Sequence, residues 1–237
     1  MSREGGSIAA RNEHAREGGS QDSGTPDPSG LRIEYPETGL TEDQLADTWL
    51  EQFRRWFGDA VTAGLPEPNA VVLATASADA IPAARLVLMK SFDESGIVVF
   101  TNGDSAKGRD LAANPRAALV FPWHPMHRQV RVSGPVEVVD EAVSDAYFAS
   151  RPYGARIAAR VSRQSQLIDD RSELDADWAA QARAYPEGNA VPRPVGWQGY
   201  RVRPEIVEFW SGRENRLHDR LRFRRTEDGW VTERLAP

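Results

Sequence analysis

Ala70-Val71-Val72-Leu73-Ala74-Thr75-Ala76, then Arg85-Leu86-Val87-Leu88-Met89-Lys90, then Gly96-Ile97-Val98-Val99-Phe100-Thr101: three short runs rich in β-branched residues follow in close succession. Two more come at 117–122 and 128–139. Turn residues separate them, as in Asp93-Glu94-Ser95-Gly96 and Asn102-Gly103-Asp104. Runs of this length between Gly/Asn/Asp turns predict strands, and strands at such spacing predict an antiparallel barrel or sandwich. One helix interrupts them, Ser105 to Ala113, stopped by Asn114-Pro115. Upstream, Thr41-Glu42-Asp43-Gln44 reads as a capping box, with Leu45, Trp49, Phe53, Trp56 or Phe57, and Ala60 at helical spacing up to Gly64 and Pro66. Downstream, helices are expected at about 140–150, 155–168 and 171–184, and strands at about 197–203, 205–210, 217–225 and 229–234. The class is mainly β with helices (α+β), a barrel core in one domain over residues 31–237. Residues 1–30, rich in Gly, Ser, Pro and charge, read as a disordered tail in which Arg-Glu-Gly-Gly-Ser occurs at 3–7 and again at 16–20.

Composition narrows the function. A net charge of −6 over 237 residues argues against a nucleic-acid partner. The chain has no cysteine, which removes disulfides, iron–sulfur clusters and thiol catalysis, and fits a cytoplasmic protein. No apolar run approaches a membrane span. Of the four histidines, His124 and His127 flank Pro125 and read as loop residues, and no metal site is expected.

Three places look built for anions. Arg85 and Lys90 close a strand at both ends, but parity puts them on opposite faces unless a bulge intervenes or Lys90 lies past the strand end. Phe100-Thr101-Asn102-Gly103-Asp104-Ser105-Ala106-Lys107 runs from a strand through a turn into a helix N-terminus, where free N–H groups, the helix dipole and Lys107 favour phosphate; a plain Ser105 N-cap explains much of the same pattern. In Arg128-Gln129-Val130-Arg131-Val132-Ser133, Gln129, Arg131 and Ser133 share one strand face. Arg156, Arg160 and Arg163 make one basic helix face, solvated or set at a subunit contact. In Trp210-Ser211-Gly212-Arg213-Glu214-Asn215-Arg216-Leu217-His218-Asp219-Arg220, an extended chain would put Arg216, His218 and Arg220 on one face, suited to a planar anionic aromatic ligand. A solvated basic strand is the plain alternative. No Ser–His–Asp set, Walker loop or GxGxxG motif is present. Many anion-binding groups with few acids or bases point to chemistry done by a cofactor.

From about residue 45 onward the chain resembles the FMN-dependent pyridoxamine (pyridoxine) 5'-phosphate oxidases. The resemblance rests on Glu67-Pro68-Asn69-Ala70, Arg85-Leu86-Val87-Leu88-Met89-Lys90, Phe100-Thr101-Asn102, Asn114-Pro115, Phe121-Pro122-Trp123, Arg128-Gln129-Val130, Ser150-Arg151-Pro152, Gln164-Ser165, Glu208-Phe209-Trp210, Arg216-Leu217-His218-Asp219-Arg220 and Arg234-Leu235-Ala236-Pro237. It implies a homodimer of FMN-binding split β-barrels with FMN at the interface. FMN contacts would come from Arg85, Lys90, Phe100, Thr101, Lys107, Gln129, Gln164, Ser165, Trp210 and Arg220. A phosphorylated pyridine substrate would meet Lys90, Tyr147 and Arg151, with Arg216 and His218 over its ring as the catalytic pair. O2 would take the electrons and give H2O2. Three departures from the family pattern stand out: Ala106 for Arg, Ala155 for Ser, and Arg156 and Arg160 for Gln and Trp. The segment 151–165 is also similar to the FMN oxidases of phenazine biosynthesis. A sister oxidase of an aromatic secondary metabolite, or a flavin- or pyridoxal-phosphate-binding protein with little turnover, are the alternatives.

Overall fold

A computed structural model describes residues 31, 33–35 and 39–237. The expected tail at 1–30 lies outside the described residues. Among the described residues nine strands form: β1 (Ala70–Ala76), β2 (Pro82–Asp93), β3 (Gly96–Asn102), β4 (Arg116–Trp123), β5 (Arg128–Val138), β6 (Trp197–Val202), β7 (Ile206–Ser211), β8 (Asp219–Thr226) and β9 (Gly229–Arg234). All pairings are antiparallel, in the order β4-β1-β2-β3-β6-β5-β7-β8-β9, and β4 also pairs with β5. That extra pairing closes six strands, β1-β2-β3-β6-β5-β4, into a barrel, and β7-β8-β9 extends from β5 as a flange. The choice between barrel and sandwich is thereby settled as a barrel. Alternation does the sorting: Val71, Leu73, Leu119, Phe121, Val130, Val132, Val207 and Phe209 point inward and are buried.

β5 has two neighbours on one side, β7 along 128–133 and β6 along 136–138. Gly134 sits at the switch. The β6–β7 connection crosses it, with the amides of Arg203 and Glu205 donating to Pro135 O and Ser133 O (both 2.9 Å). A Cβ on Gly134 would lie 1.9 Å from the Arg203 carbonyl oxygen, a backbone atom that cannot swing away. Gly134→Ala is therefore expected to cost about 3 kcal/mol or more, read as a lower urea midpoint at unchanged slope.

Among the described residues there are five α-helices, α1 (Trp49–Thr62), α2 (Ala106–Ala113), α3 (Glu141–Ser150), α4 (Tyr153–Val161) and α5 (Arg171–Ala184), of which α2 and α3 pack on barrel strands and α5 on α4. The capping box at Thr41 forms, but over a single 3-10 turn, Glu42–Gln44. The long helix starts later, where Thr48 accepts from the Glu51 amide (3.2 Å). Its stripe then plugs the barrel. Phe53 meets Phe92 and Phe121 at 4.9 and 5.0 Å, and Trp56 meets Phe209 at 5.3 Å. The helix expected over 155–168 starts at Tyr153 and ends at Val161. Beyond it Leu167 is exposed, and Gln164 is drawn off the helix path by side-chain hydrogen bonds to Thr101 and Lys107.

Candidate functional site

A cavity of about 640 Å³ opens between β2, β3, the start of α2, and α3–α4. Among the described residues its lining includes Arg85, Lys90, Lys107 and Arg151 and no carboxylate. Arg85 and Lys90 both line it, and the β2–β3 register shifts between Met89 and Ser91. A bulge there breaks the strict alternation that parity assumes. Arg85 is anchored by hydrogen bonds to Thr75 Oγ1 (2.7 Å) and Leu73 O (3.2 Å), with Asp110 at 3.9 Å.

Lys107 is the decisive cation. Ser105 caps α2 by accepting from the Gly108 amide (3.2 Å), which places Lys107 in the first turn, and the side chain is buried. Its Nζ donates to Gln164 Oε1 (2.9 Å) and Thr101 Oγ1 (3.2 Å). Burial, and secondarily the charge of Arg85, hold its pKa below the ordinary lysine value. Among the described residues no carboxylate pairs with it. An ammonium buried beside a guanidinium and met only by neutral oxygens is costly, and an anion at the helix start removes that cost. This donor set fits a phosphate group.

The far wall is aromatic. Phe100 stacks on Tyr147 (4.2 Å) and on Trp197 (5.5 Å), and Lys90 Nζ lies 5.9 Å from the Tyr147 ring centre. The Arg151 guanidinium sits 4.9 Å from the Trp197 ring centre and 5.7 Å from that of Phe148. Its Nη1 is buried and has no hydrogen-bond partner among the described residues. Burial pushes its pKa below the ordinary arginine value, with Tyr147 opposing. Ala155, Ala158 and Ala159 complete this side.

The expected basic face of α4 does not form as one face. Arg160 lies over the Tyr185 ring (4.5 Å) and donates to Gln181 Oε1 and Pro192 O (both 2.9 Å). Arg163 lies past the helix end and pairs with Glu173. Arg156 is not among the cavity-lining residues.

Arg85, Lys90, Phe100, Thr101, Lys107, Tyr147, Arg151 and Gln164 thus meet in one cavity. Gln129, Ser165, Trp210, Arg216, His218 and Arg220 do not line it. Ser165 is exposed, at φ 71°. Gln129, Trp210 and Arg220 lie side by side across β5, β7 and β8. Buried Glu208 holds Arg220 through two hydrogen bonds (2.8 and 3.2 Å) and also binds Arg131 (3.1 Å).

The Arg216–His218–Arg220 run is not extended, correcting the alternation expected there. Glu214–Arg216 is a 3-10 turn, and β8 begins only at Asp219. Asn215 and Arg216 have φ of 56° and 62°, a left-handed pair that L-residues adopt at a cost. The turn gathers a second cluster. The His218 ring lies 4.7 Å from Trp210 and 5.5 Å from Tyr35, and the Arg216 guanidinium lies 5.3 Å from the Tyr35 ring centre. Tyr35 and Trp197 are the residues the sequence reading missed. Tyr35 precedes the first periodic segment, and Trp197 opens a strand with no polar pattern around it.

The Arg213 amide donates to His218 Nδ1 (3.1 Å). Nδ1 is therefore the acceptor, and the neutral ring carries its proton on Nε2. Burial, then the charge of Arg216, hold His218 below the ordinary value of 6.5, with Asp219 opposing. The sign follows: the folded chain keeps His218 neutral where the unfolded chain already protonates it, so stability falls as pH drops below that value. Histidine NMR titration should give a His218 midpoint below 6.5, and Arg216→Gln should move it upward. A downward move would count against the Arg216 contribution.

A barrel with a cation-lined cavity at a helix start, an aromatic wall and a second cationic–aromatic cluster on its flange is the architecture of a split-barrel oxidoreductase flavoprotein. The family described as "Pyridoxamine 5'-phosphate oxidase" matches residues 57–180, and "Pyridoxine 5'-phosphate oxidase C-terminal dimerisation region" matches residues 197–237. A pyridoxine/pyridoxamine 5'-phosphate oxidase of Salinispora arenicola is 54% identical over 215 residues, covering 90% of this chain and 97% of the relative. One from Frankia alni is 54% identical over 216 residues, covering 90% of each. The crystal structure of PhzG from Burkholderia lata, in complex with tetrahydrophenazine-1-carboxylic acid, superposes with a TM-score of 0.80 at 31% identity, covering 85% of this chain and 99% of that one. The chain belongs to the pyridoxamine 5'-phosphate oxidase family and carries that family's dimerisation region. Among the described residues no helix is long and apolar enough to cross a membrane.

Proposed function

We propose that the chain, acting as a homodimer built on one domain over residues 31–237, oxidises pyridoxine or pyridoxamine 5'-phosphate to pyridoxal 5'-phosphate. FMN is the cofactor and O2 the acceptor. The observation that carries the reading is the cavity with four cations, one of them the buried Lys107, and no carboxylate among its described lining. Two phosphates, one on the cofactor and one on the substrate, suit that charge.

Arg85, Thr101, Lys107 and Gln164 would hold FMN phosphate and ribityl oxygens, with Phe100 and Ser165 beside them. Gln129, Trp210 and Arg220 of the partner subunit would complete the flavin pocket. The support for a shared pocket is that these residues lie off the cavity in one chain, while Trp210 and Arg220 fall within the matched dimerisation region. When bound, FMN supplies the hydride acceptor and passes the electrons to O2, giving H2O2. Lys90, Tyr147 and Arg151 would hold the substrate phosphate. Arg216 and His218 would lie over the pyridine ring, with His218 neutral and its Nε2–H free to donate. Glu208 fixes Arg220 in place.

One observation favours a second reading, an oxidase of a bulkier aromatic metabolite. Ala155, Ala158 and Ala159 leave the body of α4 on that wall without a hydroxyl or a large side chain, Ser162 following only at its end. The likeness to PhzG, at 31% identity, is the weaker one.

The purified protein should be yellow, bind added FMN in titration, and release it on denaturation. With pyridoxine 5'-phosphate it should produce H2O2. Flavin binding without peroxide from any phosphorylated pyridine would reject the proposed activity. A monomer in light scattering that retains stoichiometric FMN would reject the shared pocket.

A further inference from the structure

Trp197 stands in the aromatic wall of the cavity. We propose that it is a positioning residue for the substrate phosphate: its indole holds the Arg151 guanidinium, and Tyr147 beside it, in the arrangement that receives the phosphate. The inference rests on the functional reading above and deepens it.

The ring itself has little freedom. Trp197 is 7% exposed and packs in a second core cluster with Phe148, Ile157 and Val191. Its backbone is tied at both ends: the amide donates to Pro194 O (3.2 Å), and the carbonyl accepts from Arg193 Nη1 (2.7 Å). It stands opposite Asn102 in the β3–β6 register.

Three site groups rest on this fixed ring. Phe100 and Tyr147 lie nearly parallel to it, at 15° and 12° with centroids 5.5 and 6.0 Å away. The Arg151 guanidinium is 4.9 Å from its centre. Arg151 leaves the end of α3, its amide donating to Phe148 O (3.2 Å), so Tyr147 and Arg151 share one helix end and one aromatic support.

The choice of an aromatic partner has a chemical reason. A carboxylate here would neutralise Arg151 and occupy its N–H donors. An indole attracts a cation through its π-face and takes up none of the in-plane donors. The guanidinium is thus held, still charged, with Nη1 unpartnered among the described residues. That is the state a bidentate phosphate contact needs.

The test uses the FMN-loaded dimer and five variants: Trp197→Leu, Trp197→Phe, Arg151→Ala, and Arg151→Ala combined with each Trp197 change. KM and kcat are measured with pyridoxine 5'-phosphate and with unphosphorylated pyridoxine. Trp197→Leu should raise KM for the phosphorylated substrate about tenfold, with kcat within about twofold. Trp197→Phe, which keeps an aromatic face, should raise it no more than about threefold. Neither should change kcat/KM for pyridoxine, and neither should add to Arg151→Ala. Equal losses on both substrates, or losses that add to those of Arg151→Ala, would show a merely structural role and overturn the inference. If Trp197→Leu does not fold, the same coupling is read with Trp197→Phe. If the wild type does not turn over pyridoxine 5'-phosphate, the functional reading fails separately. The same variants are then compared by absorbance titration with pyridoxal 5'-phosphate, where an affinity indifferent to Trp197 overturns the positioning role.

Discussion

Arg216→Ala should lower turnover roughly 10- to 150-fold while the protein keeps its flavin, since losing a charged hydrogen-bond partner costs about 1.5–3 kcal/mol. The basis is the separation of two arginines that a sequence pattern would pool. Arg220 lies within β8, opposite Trp210, and is tied to buried Glu208. Arg216 stands on the left-handed turn before β8, exposed, with its guanidinium over Tyr35. Among the described residues the Arg216 guanidinium has no ion pair with the barrel and rests on Tyr35, so removing it should leave folding and flavin retention near wild type. Arg220→Ala should differ in kind. It leaves Glu208 buried beside Arg131 alone, so it should weaken FMN binding and lower the melting temperature together. FMN titration and steady-state kinetics on both variants decide the matter. Equal loss of FMN affinity in the two would refute this division of roles.

The strands were legible because their information is local: alternation along 70–76, 96–101 and 128–139, and turn residues between. The barrel core was expected, but which strands close it was not, because closure depends on β4 pairing with both β1 and β5, a relation between distant segments that no single run encodes. The phosphate-suited half of the site was legible in parts. Parity named a bulge as one condition for Arg85 and Lys90 to meet, and a register shift does lie between Met89 and Ser91. The Thr41 capping box shows the limit of motif reading. It forms as a local hydrogen-bonded turn, yet the helix waits for Thr48, where the aromatic stripe can reach the barrel. Alternation failed at Arg216 because it presumes extended backbone, and Asn215 and Arg216 leave it. Arg160 and Arg163 looked free in sequence because their partners, Gln181, Tyr185 and Glu173, come from a helix that folds back on α4.

Arg151→Ala carries the other large expectation, and it discriminates the two oxidase readings. Arg151 is half-buried and lines a cavity whose described lining has no carboxylate, and its Nη1 is buried and unpartnered among the described residues. If that guanidinium binds the substrate phosphate, its removal should raise KM for pyridoxine 5'-phosphate about 100-fold, roughly 3 kcal/mol, with a much smaller change in kcat. Ala155→Ser should act in the opposite sense. Residue 155 lines the cavity on the first turn of α4, so a hydroxyl there reaches the same space without displacing a packed group. One added neutral hydrogen bond is worth about 1 kcal/mol, so KM should fall about fivefold. Arg156, the next residue on that turn, does not line the cavity. The two changes also couple, because both address one phosphate: the gain from Ala155→Ser should shrink in the Arg151→Ala background. A wild-type activity on pyridoxine 5'-phosphate indifferent to Arg151→Ala would mean that no phosphate is held there. The alanine-walled cavity would then belong to a larger, unphosphorylated aromatic substrate.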